Sequence, residues 1–209
     1  MSGRFIALEG WEACGKSTQA AALGVELDAL VTRQPGDSSI GPPVRRLVLE
    51  TDVDLVPRAE ALLFAADRAQ HVAEVVRPAL EAGRDVVCDR YLYSSVAYQG
   101  HGRGLDPDEV ARLSLWAAEG LLPDLVILLD LPYEVAVGRL GDERDRIERG
   151  DVDFHRRVHA AFAELADAEP GRWAVVDADA TPAEVTARIL EVVHDRLGPR
   201  RAGEHERRR

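Results

Sequence analysis

The chain has 209 residues, of which 46% are hydrophobic and 30% are charged, and its formal net charge is −11. A chain of this length and apolar fraction can bury a sizeable core, which excludes a disordered protein. The acidic balance disfavours a general nucleic-acid binder, and the sequence shows neither a membrane span nor a signal-peptide layout. Two cysteines, Cys14 and Cys88, are too few for a disulfide scaffold. We therefore expect a cytoplasmic protein without nucleic-acid or membrane partners.

Short apolar runs alternate along the chain with longer segments of helical periodicity. In chain order the expected strands are 4–9, 27–31, 85–88, 125–129 and 173–177. The expected helices are 17–25, 44–49, 58–82, 91–98, 107–119, 133–140, 151–168 and 182–197. Asp106 and Thr181 are suited to cap the helices that they precede. This alternation predicts an α/β fold with a five-stranded parallel sheet flanked by helices, in a single domain over residues 1–197.

The last twelve residues differ in composition from the rest of the chain. Residues 198–209 carry five arginines and two glutamates around glycine and proline. We expect this basic tail not to fold, as is usual for a charged terminus. The alternative is an arm that binds an anionic partner.

Lysine is almost absent: among the 26 basic residues, only Lys16 is a lysine and the other 25 are arginines. An ammonium group is a compact point charge with rotatable donors, which a planar guanidinium cannot imitate in a tight phosphate cradle. Residues 10–17 match the P-loop pattern G-x-x-x-x-G-K-[ST], in which backbone N–H groups face phosphates and the hydroxyl of Ser17 is suited to Mg²⁺. The residues expected to bind ATP are Gly10, Trp11, Glu12, Ala13, Cys14, Gly15, Lys16, Ser17 and Thr18.

A P-loop leaves several chemistries open, and the lysine count removes some of them. Guanine-reading GTPases use an Asn/Thr-Lys-x-Asp element and protein kinases need a lysine on a later strand, and this chain has neither. Two carboxylates end apolar strands and are candidates to hold the metal ion, Asp89 and Asp130. We favour Asp89, because Arg90 follows it and a cation beside a carboxylate suits a site where two phosphate groups meet. Asp130 is then structural.

Seven further segments occur in a characteristic order: residues 5–10 with the P-loop, 32–36, 63–68, 89–100, 123–125, 145–148 and 153–154. The most specific is 89–100, DRYLYSSVAYQG, whose spacing of acid, base, hydroxyls and aromatic rings is hard to obtain otherwise. Over nearly its whole folded length the chain thereby resembles bacterial thymidylate (dTMP) kinases. The resemblance implies the P-loop nucleoside-monophosphate-kinase fold, a homodimer, and Mg·ATP-dependent phosphorylation of dTMP to dTDP.

The resemblance also implies which side chains hold dTMP. Phe64 would stack on the thymine ring, while Arg68 and Ser95 would bond the edge of the base. Tyr98 would lie against the sugar. The full set implied for dTMP, in which Arg33 and Arg90 hold the 5′-phosphate, is Glu12, Arg33, Phe64, Arg68, Arg90, Ser94, Ser95, Tyr98 and Gln99. Judged alone, Phe64 and Tyr98 could be core residues, and Glu12 a solvated loop carboxylate.

Arginines and acids interleave at 139–149, which on composition alone indicates a solvated face. The resemblance instead implies a short Arg-rich lid at about 141–150 over the moving phosphoryl group. Ala13 stands where some family members carry the catalytic arginine, so the chain is similar to the type with that arginine in the lid. The residues implied for catalysis are Lys16, Asp89, Arg90, Arg146, Arg149 and, ranked after them, Arg144; those for the metal are Ser17 and Asp89.

The chain departs from the family pattern beside Arg33. Gln34 stands where glutamate is usual, and Asp37 and Ser38 replace glycine and threonine. These departures leave the support of Arg33 open. They also keep two other functions in view: another P-loop kinase, for a different nucleotide or a deoxynucleoside, and a weakly catalytic nucleotide-binding regulatory protein.

Overall fold

The computed structural model describes residues 3–50, 52–141 and 145–198, so Arg144 and the tail from residue 199 onward lie outside the described residues. At its centre is a sheet in the order β2-β3-β1-β4-β5, in which every neighbouring pair is parallel. The strands are β1 (Phe5–Glu9), β2 (Leu30–Arg33), β3 (Val86–Asp89), β4 (Leu125–Asp130) and β5 (Trp173–Asp177). The predicted α/β fold with five parallel strands is confirmed.

Helices connect the strands and flank the sheet. They are α1 (Lys16–Glu26), α2 (Gly41–Leu49), α3 (Pro57–His71), α4 (Arg77–Glu81), α5 (Leu92–Ser95), α6 (Pro107–Ala117), α7 (Tyr133–Arg139), α8 (Val152–Ala168) and α9 (Pro182–Leu197). Asp106 caps α6 by accepting from Asp108 N at 2.9 Å, and Thr181 forms a capping box with Glu184 at the start of α9, as the sequence predicts. Within the described ranges, no helix is long and apolar enough to cross a membrane.

Several predicted boundaries are wrong. The strand predicted over 27–31 is formed by Leu30–Arg33 instead, because α1 runs on to Glu26 and the chain turns at Asp28 with a φ of 49°. The helix predicted over 44–49 begins at Gly41, since the prolines that follow lie in its first turn, where the missing N–H donors are not needed.

The two long helices predicted over 58–82 and 91–98 each contain a π-helical turn. The first comprises α3, a π-helical segment at Val72–Val76, and α4. The second is the single turn α5, which continues as a π-helix over Val96–Gly102. Apolar periodicity over five to seven residues does not distinguish a π-turn from an α-turn, and π-turns occur frequently at functional sites.

The parallel sheet brings several loops to one edge. Because all five strands run in the same direction, the loops that follow β1, β2 and β3 meet at their carboxyl ends. All five residues of β1 are buried, and so are the first five of β4, so the centre of the sheet is a rigid apolar support. In an open parallel sheet this edge forms the crevice in which ligands bind.

The loop after β2 is held by a close approach of two glycines. A Cβ atom at Gly41, the first residue of α2, would lie 2.3 Å from the carbonyl oxygen of Gly36 and 2.4 Å from its carbonyl carbon. Only a residue without a side chain fits there, because both groups that would collide belong to backbone. Glycine at 41 therefore lets α2 pack directly on the loop that follows Arg33.

We predict that Gly41→Ala destabilises the protein by about 2 kcal/mol, because the collision forces backbone movement. This corresponds to a fall in Tm of about 4–8 °C for a domain of this size. Gly138→Ala is the matched control: Gly138 lies in α7 with no atom within 4 Å of the added Cβ, so alanine should raise Tm slightly through helix propensity. Thermal unfolding in which both variants shift Tm alike would contradict this account.

Candidate active site

A cavity of about 430 Å³ opens at the carboxyl edge of the sheet. It is bounded by the P-loop, the loop after β2, α3, α5 with its π-helical continuation, and the residues that precede α8. Most of the predicted site residues line it: Glu12, Ala13, Gly15, Lys16, Ser17, Thr18, Arg33, Phe64, Arg68, Asp89, Arg90, Ser94, Ser95, Tyr98 and Gln99. Predicted residues from four separated segments of the sequence thus meet in one cavity.

The end of the P-loop leaves the first backbone N–H groups of α1 without a side-chain acceptor. Gly10 has a φ of 140°, and a Cβ there would lie 2.8 Å from the carbonyl oxygen of Leu129, so this position needs glycine. Gly15, with a φ of 93°, precedes α1 and supplies no side-chain cap. The first N–H groups of α1 are therefore free of a side-chain acceptor, which favours an anion at this helix terminus.

Lys16 folds back onto the loop itself. Its Nζ donates to the carbonyl oxygen of Trp11 at 2.6 Å and lies 3.3 Å from Sγ of Cys14. The side chains of Trp11 and Cys14 are buried in the core and do not line the cavity. These two residues therefore pack into the core, while Lys16 lines the cavity.

Ser17 and Asp89 lie side by side. The hydroxyl of Ser17 donates to Oδ2 of Asp89 at 2.5 Å. Ser17 lies in the first turn of α1, which follows the P-loop after β1, and Asp89 ends β3, so the pairing of β1 with β3 brings the two oxygen donors together. A hydroxyl beside a carboxylate at the end of a strand is the oxygen donor pair that Mg²⁺ takes in P-loop proteins.

Arg90 connects the P-loop to the π-helical segment after α5. Its guanidinium donates to the carbonyl oxygen of Gly10 at 2.9 Å, to Oε2 of Glu12 at 2.9 Å and to the hydroxyl of Tyr98 at 3.1 Å. Tyr98 in turn donates to Oε1 of Glu12 at 2.7 Å. Arg90 adopts a φ of 67°, a left-handed conformation that is unfavourable for a residue with a side chain. The bonds on its guanidinium hold it there.

The charges at Glu12 and Arg90 stabilise each other. Burial alone would raise the pKa of the Glu12 carboxyl, but the positive charges of Arg90 and Lys16 outweigh it and hold that pKa below its usual range. Burial alone would lower the pKa of Arg90, and Glu12 outweighs it in the opposite direction. Both groups are therefore ionised at neutral pH, and Glu12 is a paired carboxylate instead of the solvated loop residue considered above.

The polar groups proposed for the base are buried next to Phe64, whose side chain is half-buried. Arg68 is 2% exposed, and its Nη2 donates to the hydroxyl of Ser95 at 3.1 Å. Its Nε donates to Oε1 of Gln34 at 3.0 Å. These bonds fix the guanidinium plane of Arg68, and Arg68 and Phe64 both line the cavity.

Two other residues proposed for dTMP already have partners in the protein. Ser94 donates to Oε2 of the buried Glu9 at 2.5 Å and accepts from Nη1 of Arg90 at 3.1 Å. Gln99 donates to Oε1 of Glu60 at 2.8 Å. Both line the cavity, but Ser94 also bonds the last residue of β1 and Gln99 also bonds a residue of α3.

The three residues beside Arg33 that depart from the family pattern, Gln34, Asp37 and Ser38, all have hydrogen-bond partners. Asp37 accepts from the backbone N–H of Arg33 at 3.1 Å and lies 3.4 Å from its Nε. Ser38 donates to Oδ1 of the buried Asp67 at 3.0 Å, and Gln34 bonds Arg68. The support of Arg33 therefore comes from Asp37, and the side chain of Gln34 bonds Arg68 instead.

The arginines around the lid occupy different places. Arg146 does not line the cavity; its Nε donates to the carbonyl oxygen of Val48 at 2.8 Å, and its Nη2 bonds the buried carboxylate of Glu60. Arg149 is exposed, and no described residue gives its side chain a hydrogen bond or ion pair. Arg139, which was not among the predicted site residues, lines the cavity and pairs with Asp179 at 3.4 Å.

Sequence reasoning also missed Arg45. It lines the cavity, and its Nη1 donates to the carbonyl oxygen of Pro35 at 2.9 Å. Its position on α2, close to the loop that carries Arg33, adds a second cation to that wall. The one signal in the sequence was the double arginine at 45–46, inside the helix predicted over 44–49, and it did not indicate which way the side chain of Arg45 points.

A buried histidine lies next to Gln34. His71, at the end of α3, is fully buried; its Nδ1 lies 2.8 Å from Nε2 of Gln34, and its Nε2 lies 2.6 Å from the hydroxyl of Thr32. Burial lowers the pKa of His71 from 6.5 to about 4, although the charge of Asp37 acts against it. The imidazole is therefore neutral at physiological pH.

Comparisons with known proteins agree with one another. A family model described as thymidylate kinase matches residues 8–189. The chain is 56% identical to the thymidylate kinase of Leifsonia xyli subsp. xyli over 195 residues. The matched region covers 90% of this chain and 92% of that relative. The chain is 48% identical over 198 residues to the thymidylate kinase of Bifidobacterium longum, with 90% and 96% covered. The crystal structure of thymidylate kinase from Ehrlichia chaffeensis matches with a TM-score of 0.79 at 26% identity, covering 92% of this chain and 100% of that one.

We predict that His71 makes the stability depend on pH between about 4 and 6.5. In this window the unfolded chain binds a proton at His71 that the folded protein does not, so the free energy of unfolding falls as the pH drops and is fully retained above 6.5. The expected loss between pH 7 and pH 4.5 is about 2–3 kcal/mol larger in the wild type than in His71→Gln. Urea unfolding of both proteins across this range measures it, and equal pH slopes would refute the assignment.

Proposed function

The chain belongs to the thymidylate kinase family, and from that premise we propose a role in the reaction for each group that faces the cavity. The protein is a nucleoside-monophosphate kinase that transfers a phosphoryl group from ATP to dTMP and gives dTDP. The observation that supports the assignment of roles is the shared cavity: the P-loop residues proposed for ATP and the residues proposed for dTMP line one space.

On the donor side, the P-loop binds the phosphates of ATP. The N–H groups at the start of α1 face the β- and γ-phosphates, and Lys16 exchanges its bond to the Trp11 carbonyl for phosphate oxygens. Ser17 and Asp89 hold Mg²⁺, either directly or through bound water, and the contact between their oxygens supports this choice. When bound, the ion neutralises charge on the phosphates and fixes their orientation.

On the acceptor side, dTMP lies between Phe64 and the π-helical segment after α5. Phe64 stacks on thymine, while Arg68, with Ser95 beside it, binds the base edge, and Gln99 lies on the same wall. Tyr98, fixed by Glu12, contacts the sugar and leaves little room for a 2′-hydroxyl.

The 5′-phosphate of dTMP is held by arginines on two walls. Arg33 approaches from the end of β2, Arg45 from α2, and Arg90 from the residue after β3, with Ser94 beside it. The guanidinium groups of Arg33 and Arg45 can form paired bonds to phosphate oxygens, which fix the attacking oxygen in line with the γ-phosphate. Arg90 contributes its charge and its Nε–H, since its other four N–H hydrogens bind the protein. Catalysis then consists of positioning and charge stabilisation, without a covalent intermediate on the protein.

A lid arginine supplies the remaining charge at the transition state. Arg149 and Arg146 are the first candidates and Arg144 the next. Arg146 would have to leave Glu60, whereas the exposed side chain of Arg149 would break no bond to a described residue. Of these two described residues, Arg149 therefore breaks fewer bonds when it moves.

We further propose that residues 1–197 act as one kinase domain with a lid at about 141–150, and that the enzyme works in the cytoplasm. Two free thiols, Cys14 and Cys88, fit a reducing compartment. We also propose a homodimer. The packed helices α3 and α6 both expose large apolar side chains, with Trp116 of α6 79% exposed and Leu62 of α3 57% exposed, which supports pairing through these helices.

We predict that Arg149→Ala lowers kcat by about a hundredfold with a much smaller change in KM, because a transition-state charge is lost. Arg146→Ala should instead lower Tm, because it leaves Glu60 short of a partner in a buried site. Steady-state kinetics and thermal unfolding of both variants separate the two roles. A full loss of kcat in Arg146→Ala at unchanged Tm would reverse the assignment.

We predict that Trp116→Arg gives a monomer, because it places a charge at the centre of the proposed interface. Val25→Arg is the control: Val25 is 81% exposed but lies on α1, away from α3 and α6, and should leave the dimer intact. Light scattering coupled to gel filtration measures both masses. A wild-type protein that is monomeric at micromolar concentration, or a dimeric Trp116→Arg, would disprove the interface.

A further inference from the structure

A histidine of α8 connects the P-loop with the turn that precedes this helix. The indole Nε1–H of Trp11 donates to Nδ1 of His155 at 3.3 Å, and Nε2 of His155 lies 3.2 Å from the backbone carbonyl oxygen of Glu148. Trp11 is 3% exposed and His155 is 5% exposed, so both rings are shielded from water. One side chain therefore bridges two segments that lie far apart in the sequence.

Chemistry fixes the direction of both bonds in this bridge. An indole N–H can only donate, so Nδ1 of His155 accepts with its lone pair. The bridging ring then carries its proton on Nε2, and that N–H donates to the carbonyl oxygen of Glu148. His155 therefore uses both of its ring nitrogens to hold the two segments together.

Two ring contacts fix the indole of Trp11. The ring of Tyr133, the first residue of α7, lies 4.9 Å from it between centroids, and the ring of His155 on α8 lies 5.3 Å from it at 79°. The helices α7 and α8 stand on either side of the proposed lid, at about 141–150. Trp11 therefore contacts both of the helices that flank it.

The residues before α8 form a turn with its own internal bonds, the 145–150 turn. Oδ1 of Asp145 accepts from the backbone N–H of Ile147 at 2.8 Å and from that of Glu148 at 2.9 Å. The backbone N–H of Arg149 donates to the carbonyl oxygen of Asp145 at 3.0 Å. Because these bonds join the turn into one unit, a bond to a single carbonyl oxygen places the whole of it.

Both ends of the bridge lie at the active site. At one end, the backbone carbonyl oxygen of Trp11 accepts from Nζ of Lys16 at 2.6 Å. At the other end, the 145–150 turn carries Arg149, which we propose as a lid arginine. The residues of this turn that line the cavity are Asp145, Ile147 and Glu148.

We propose that His155, oriented by the indole of Trp11, is a positioning residue for phosphoryl transfer, because it holds the 145–150 turn in place against the P-loop. This inference rests on the proposed roles of the P-loop and of Arg149. Neither ring lines the cavity, so both act on the substrates only through the groups that they hold. A misplacement of about 1 Å can cost up to about a hundredfold in rate, so the bridge should act on kcat.

The first test uses the enzyme without substrate. Hydrogen exchange followed by NMR reports how often the backbone N–H groups of residues 147–150 open. In His155→Leu, which can neither accept nor donate, we expect these groups to exchange about tenfold faster, because two hydrogen bonds are lost. Trp11→Phe keeps an aromatic ring and removes only the N–H, so it should act in the same direction, and it decides the test if His155→Leu does not fold. Wild-type exchange at 147–150 would overturn the proposal.

Two other variants are matched controls. His155→Gln keeps an acceptor and a donor on one planar group, so its exchange and its kcat should stay close to those of the wild type. His159 lies one turn further along α8, and its Nε2 lies 3.2 Å from the carbonyl oxygen of Leu131, which is outside the 145–150 turn. His159→Leu removes the same kind of bond and should change neither quantity.

The second test is a double-mutant cycle with Arg149→Ala, read as kcat with Mg·ATP and dTMP. Alone, His155→Leu should lower kcat about tenfold with little change in KM, because the lost stabilisation belongs to the transition state. The loss is partial, since Arg146 still bonds the turn to α2 and α3. In the Arg149→Ala background the same substitution should lower kcat less than about twofold, because the group that it positions is gone.

A purely structural role for His155 predicts a fall in Tm and equal losses of kcat in both backgrounds, and that result would overturn the proposal. The proposed function fails in a different way. Wild-type enzyme that does not use dTMP, or Arg149→Ala with the kcat of the wild type, would contradict the roles proposed for the cavity. The exchange rates at 147–150, read without substrate, would then decide this inference separately.

Discussion

The ion pair between the largely buried guanidinium of Arg90 and the carboxylate of Glu12 is the interaction on which the site depends. The guanidinium bonds the P-loop at Gly10 and Glu12 and the π-helical segment at Tyr98, while the backbone of Arg90 continues from the end of β3. A cation buried in this way is tolerable only when it is paired and hydrogen-bonded, and Glu12 provides that pairing. One side chain therefore connects the P-loop, which we assign to ATP, with the π-helical segment Val96–Gly102, which we assign to dTMP.

The parallel sheet makes this arrangement possible. Charged residues collect where the strands end, since the strands themselves are buried and apolar. Glu9 shows the principle: it ends β1, is fully buried, and accepts from the backbone N–H of Tyr91 and Ser94. Burial raises the pKa of its carboxyl, and these hydrogen bonds act against that rise. A strand-terminal acid thus fixes the start of α5, and α5 continues into the π-helical segment Val96–Gly102.

Much of the fold could be predicted from the sequence, because its signals are local. The P-loop pattern, the sole lysine Lys16 and the alternation of apolar strands with helices each depend on a few neighbouring residues. The π-helical turns and the position of β2 could not be predicted, since they are decided by packing over a longer range. The same applies to Arg146, whose position outside the cavity could not be predicted. Its bond to Glu60 joins residues 86 positions apart in the sequence.

We expect the enzyme to phosphorylate dTMP in preference to other acceptors. The most direct test is ADP release from Mg·ATP with dTMP, dUMP, dCMP, dGMP and thymidine supplied separately, with Lys16→Ala as the inactive control. Turnover should be strongest with dTMP and abolished in the variant. Turnover that is strongest with thymidine or with another base would contradict this expectation, because the residues assigned to the base edge and the 5′-phosphate would then be in the wrong roles.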